Sequence, residues 1–193
     1  MRALVPADLW KLEDYARERH AFRERVLAHK ADRRVHLGPH ITLAFEDRLT
    51  VQYQVQEMLR IERIFEAEAI AEELAAYNPL IPDGGNLKAT MLIEYDDVQQ
   101  RRRELGRLRG IEHDIALAVG DLPPAVAIAD EDLGRSNESK TSAVHFLRFE
   151  LSPPMRAALR AGAQSGFAVD HPHYRARVLL APALREALLA DLD

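Results

Sequence analysis

A chain of 193 residues that is 47% hydrophobic and 30% charged, with a net charge of −5, has the apolar mass for a core and too little net charge for a disordered segment. It has no cysteine, which excludes disulfides, thiolate nucleophiles and cysteine-ligated zinc or iron–sulfur centres within the chain. No run is apolar enough for a signal peptide or a bilayer span, so the cytoplasm is the expected compartment and no membrane partner is expected.

In chain order, Pro6 to Ala31 reads as helix, broken near Glu13, with Tyr15, Phe22, Val26 and His29 on one stripe. "VHLGPHITLAF" (Val35 to Phe45) reads as two strands around a Gly38-Pro39 turn. Thr50 is placed to cap a helix running to about Phe65, and a further helix follows to about Tyr77. After the loop "NPLIPDGGN", Leu87 to Tyr95 alternates as a strand, and Val98 to Arg109 reads as an exposed, charged helix.

The second half is mainly β. Strands are expected at His113–Val119, Ala125–Ala129, Ser142–Leu151, Gly166–His171 and Tyr174–Leu180. The polar tract "EDLGRSNESKTS" between two of them reads as a mobile hairpin loop. One helix is expected after a Ser152 cap with Pro153-Pro154 in its first turn, and another from Pro182. The class is α+β, a single domain over 1–193 whose helical segment 1–34 packs on the core. Its mostly antiparallel sheet is expected to hold about five to seven strands, with helices at the N-terminus and one at the C-terminus.

Charge is segregated along the chain. Arg17–Arg34 is basic, Glu57–Asp97 acidic, and "QQRRRELGRLRG" (Gln99 to Gly110) basic again. Interleaved acids and the lack of an aromatic stacking pattern argue against nucleic acid as a partner. Opposed charged helices facing each other or solvent account for the pattern.

Three groups of residues are candidates for chemistry. Glu62 falls within the apolar stripe of Val51, Val55, Met58 and Phe65, so burial with an arginine such as Arg19 or Arg23, a histidine or a metal is expected. Arg60 lies on another face of that helix. In "VDHPHYRARV", an extended backbone would turn His171 and His173 to one side, where a divalent metal could take both imidazoles. His145 is the inward-pointing candidate for a third ligand, with Glu62 or Glu94 as carboxylate. The pair is common by chance, and the competing reading is a polar strand end at which His171 serves structure. Arg175 and Arg177 share a strand side and could hold a carboxylate or phosphate. Gly38-Pro39 and Gly84-Gly85 are turn glycines rather than phosphate loops, no serine sits in a nucleophile elbow, and no flavin or nicotinamide fingerprint is present.

The chain resembles the bacterial family known as domain of unknown function 3501. The likeness rests on "FRERVLAHKADRRVHLGPHITLAFEDRLTVQYQVQEMLRIERI" (Phe22 to Ile64), "AYNPLIP" (Ala76 to Pro82) and "DHPHYRAR" (Asp170 to Arg177). The resemblance carries no activity and so no catalytic residue. It implies a context, because members tend to be encoded beside rubrerythrin-like di-iron proteins and iron–sulfur oxidoreductases. The expectation is an accessory protein of redox partners that associates through its charged surface, with a homo-oligomer left open. The two competing expectations are a His/carboxylate metal-dependent enzyme and a small-anion binding module.

Overall fold

The computed structural model describes residues 2–129 and 140–192. After a 3-10 turn at Pro6–Asp8, the chain runs α1 (Leu12–Ala31), β1 (Arg34–Leu37), β2 (Ile41–Phe45), α2 (Arg48–Glu62) and α3 (Ala67–Tyr77). It continues through β3 (Asn86–Ile93), α4 (Val98–Arg107), β4 (Ile115–Val119), β5 (Ala125–Val126) and β6 (Ile128–Ala129). The remaining elements are β7 (Val144–Glu150), α5 (Pro153–Arg160), β8 (Ser165–His171), β9 (Tyr174–Leu179) and α6 (Pro182–Leu189).

All strand pairs are antiparallel, but the strands form two sheets rather than one, ordered β1-β2-β3-β7-β6 and β5-β4-β8-β9. The α+β class holds, with helices leading the chain and α6 at its C-terminal end. The expected strand Ala125–Ala129 is split, because β5 pairs with β4 in one sheet and β6 with β7 in the other. Ala127 is the crossing point, buried, with its N–H still bonded to Ile115 O at 2.8 Å. Most of the predicted loop "EDLGRSNESKTS" (131–139) lies outside the described residues.

The sheets face each other across an apolar core, since alternate strand residues point inward. Phe167 of β8 is fully buried, with the rings of Phe45 (β2) and Phe149 (β7) each 5.2 Å away. Met155 and Leu159 of α5 and Leu184 and Leu188 of α6 belong to the same core. The stripe expected on α1 is real: Tyr15, Phe22 and Val26 are buried and pack with Leu49 and Tyr53. Ser152 caps α5 by accepting from the Met155 N–H. At the start of α2 the cap is Asp47, not Thr50. The Asp47 carboxylate accepts from the Thr50 N–H, and the Asp47 N–H donates to the Thr50 hydroxyl. Among the described residues no helix is long and apolar enough to cross a membrane.

Candidate functional site

The histidine stretch forms a hairpin. His171 pairs with Tyr174, so Pro172 and His173 are the two loop residues and the strand is interrupted between the imidazoles. His171 is buried. Its Nε2 donates to Arg109 O at 3.2 Å, and its Nδ1 accepts from the His173 N–H at 3.2 Å. Both ring nitrogens are thereby occupied by backbone groups, whereas His173 is exposed, its ring 5.7 Å from that of His171. The two side chains therefore do not share a side, because a turn replaces the extended backbone on which that expectation depended.

His145 belongs to the other sheet and is fully buried. Its Nε2 lies 2.8 Å from the Thr141 hydroxyl, which donates to Glu112 Oε2 at 3.0 Å, and 3.2 Å from Ser142 O. Glu94 is exposed and accepts from Thr42. Among the described residues, no three His, Asp or Glu side chains converge to hold a metal ion. His171→Ala should cost about 1–3 kcal/mol, because a buried side chain is removed together with its two part-buried backbone bonds. His173→Ala should stay within roughly 0.5 kcal/mol, as exposed substitutions do. Thermal melts and metal content of the two variants check this, and equal losses would remove the distinction between them.

Glu62 is not buried. It is the last residue of α2, exposed, and Arg63 follows in the left-handed conformation with φ 56°. Phe65 lies beyond the helix and is 61% exposed, so the apolar stripe ends at Leu59. The angular phase of Glu62 is right, but the packed part of the helix stops one turn earlier. The arginine expected to pair with it, Arg19, holds Glu57 instead, with Nε and Nη2 2.7 and 2.8 Å from the two carboxylate oxygens. Tyr15 donates to the same group at 2.6 Å and Arg60 at 3.3 Å. The Arg19 bonds lead in drawing the Glu57 carboxyl down to about 2, and burial with the adjacent carboxylate pushes the Tyr15 phenol up. Arg175 and Arg177 do share the exposed side of β9, where Arg175 Nε lies 2.8 Å from Asp170 Oδ1 in a pair that is largely solvated.

A charged centre that sequence reasoning missed sits where β2 meets α2. Arg33 is 2% exposed. Its guanidinium donates to the Phe45, Glu46 and Ala187 carbonyls and to the Asp191 carboxylate, and lies 3.6 Å from Asp47. His29 Nε2 closes the network 2.5 Å from Asp47 Oδ2. Burial pushes the Asp191 carboxyl up to about 6, against the pull of Arg33. Next door, Glu46 is 3% exposed and accepts from Thr50, Gln54 and Thr90, all neutral donors. A signal is present in "FED", an acidic pair between an apolar strand and a helix start, where Asp47 competes with Thr50 for the cap. The network joins α1, β2, α2 and the C-terminal end of the chain, and it leaves Asp191 Oδ1 buried without a hydrogen-bond partner. Charges free to meet a partner lie at the surface, where Arg101 and Arg102 of α4 are exposed while Glu68 and Glu72 of α3 present the opposite sign.

Fold and site together define a cysteine-free α+β protein of two packed antiparallel sheets, with buried ion networks inside and segregated charge outside. The chain belongs to the family described as protein of unknown function DUF3501, whose sequence model matches residues 3–192. A crystal structure of a novel protein of unknown function from Burkholderia pseudomallei K96243 is similar at 50% identity, covering 100% of both chains with a TM-score of 0.94. No curated protein matches.

Proposed function

We infer that the chain is a cytoplasmic accessory protein that associates with redox proteins of the rubrerythrin-like or iron–sulfur kind through its charged surface. The observation that carries this reading is α4, a basic helix whose Arg101, Arg102 and Arg103 face solvent on a chain of net charge −5. Such a local reversal of sign steers an acidic partner and fixes its orientation. The redox character of the partner comes from the genomic company implied by the family resemblance. A role in binding also agrees with histidines and carboxylates engaged in structural bonds.

The test is a pull-down of the neighbouring redox proteins at low and high salt. Exposed charges are screened beyond about 8 Å at physiological ionic strength, so the complex should weaken as salt rises. The double variant Arg101→Glu, Arg102→Glu should lose it at both concentrations. A complex indifferent to salt and to the double variant would replace the charged interface with an apolar one. Failure to bind at any salt would remove the reading.

A further inference from the structure

β1 and β9 are the edge strands of their two sheets, and the structure sets them on the same side of the sandwich. Tyr174 ties them at one end: its hydroxyl donates to Leu37 O at 2.5 Å and accepts from the His40 N–H at 3.1 Å. Gly38 makes this closure feasible, since a Cβ there would sit 2.7 Å from the Tyr174 hydroxyl. Toward the other end the edges flank a groove of about 300 Å³, lined by Arg34 and His36 from β1, Val178 and Leu179 from β9, and Ala183 and Leu184 from α6.

The register states which backbone groups of β9 are free. Leu180 N–H bonds to Ser165 O at 2.9 Å, and His171 pairs with Tyr174 beside the two-residue loop. Even-numbered residues of β9 therefore bond to β8, and the N–H and C=O of Arg175, Arg177 and Leu179 point away from the sheet. Leu179 is also 58% exposed. Around this open edge the exposed side chains are mainly basic, Arg175 and Arg177 on β9 and Arg34 and His36 on β1, while Asp170 holds Arg175 and Asp32 lines the groove. Among the described residues Arg34 and Arg177 have no carboxylate partner.

We propose that the free edge of β9 receives an extended acidic segment of a partner protein by strand addition. The outward amides supply the ladder, and the flanking cations select glutamate or aspartate side chains at alternate positions. A second copy of this chain is a poor occupant, because antiparallel pairing of two β9 edges would set Arg175 and Arg177 against like charges. The proposal rests on the reading of the chain as a partner-binding protein and gives that partner a shape.

The probe is a capped synthetic peptide of about ten residues alternating glutamate and valine, followed by fluorescence anisotropy at low salt. It should bind the full chain. The same peptide N-methylated at alternate amides should bind roughly tenfold more weakly, since it keeps every charge but loses the ladder bonds. Leu179→Pro removes an outward N–H without touching a bond to β8, and should weaken binding to a similar degree. Arg177→Glu should weaken it too. Equal binding of the methylated and unmethylated peptides would overturn strand addition, as would no binding of either. The methylated peptide decides the matter on the unaltered chain even if Leu179→Pro fails to fold. A redox-protein pull-down undiminished by Leu179→Pro would overturn this site alone. Peptide binding without redox-protein capture would leave the site standing and remove the redox reading.

Discussion

Arg33→Ala is expected to destabilise the chain by roughly 3–5 kcal/mol, because it breaks a buried ion pair by removing one partner. For a chain of this size that corresponds to a fall in melting temperature of about 6–20 °C. Arg33 is nine-tenths and more buried, and its loss strands Asp191, 1% exposed, and the three carbonyls it serves. The effect should depend on pH. In the intact protein the Asp191 carboxyl titrates near 6 against an ordinary 3.8, so between those values the folded chain holds a proton that the unfolded chain has released. Its stabilising contribution is therefore complete below 3.8 and is lost as pH rises through about 6. Without Arg33 the charged form of Asp191 is still less favourable, so the variant should suffer most at pH 8 and partly recover at pH 5. Thermal melts at the two pH values check this, and an equal loss at both would show that Arg33 does not act by neutralising Asp191.

Phe167→Ala should cost a further independent 3–5 kcal/mol, about what a buried aromatic deletion costs when the surroundings collapse only partly. Phe167 is fully buried between the sheets, touching Phe45 and Phe149, which both come from the five-stranded sheet. Removing it leaves the void on the inter-sheet seam rather than within one sheet. Phe65→Ala is the control, since Phe65 is 61% exposed and should stay within about 0.5 kcal/mol. Denaturant midpoints compare the two. A loss below about 1 kcal/mol for Phe167→Ala would mean the seam repacks and the aromatic contact is not what joins the sheets.

Periodicity made the helices and most strands legible, because Tyr15, Phe22 and Val26, or the alternation of β3, are local patterns. The division into two sheets was not legible, because the change of sheet at Ala127 depends on which distant strand each side of a five-residue segment meets. The α2 cap was misplaced for a narrower reason: Asp47 and Thr50 are both good capping residues, and only the backbone decides which accepts from the other. Glu62 shows the limit of angular reasoning. Its phase on the helical wheel is that of Val51 and Val55, yet a helix buries only the turns that another element covers. The His171–His173 pair fails in the same way, since Pro172 marks a possible strand end without revealing a two-residue turn. The Arg33 centre was least legible of all, because the Ala187 carbonyl and Asp191 carboxylate that complete it lie 154 and 158 positions away.

That distance has a consequence for how the protein is made. Arg33 and the Asp191 carboxylate that holds it are 158 positions apart. On a ribosome, the basic residue leaves the exit tunnel long before its counter-charge has been polymerised. Through that interval β1, β2 and the start of α2 must either keep the guanidinium hydrated or bury it at a steep energetic cost. Closure of the β2–α2 junction over a fully paired Arg33 is therefore expected to wait for α6 and Asp191. A chain truncated before Asp191 is expected to be cleaved faster than the intact chain at its β2–α2 junction under limited proteolysis, since Arg33 then lacks the carboxylate that holds it.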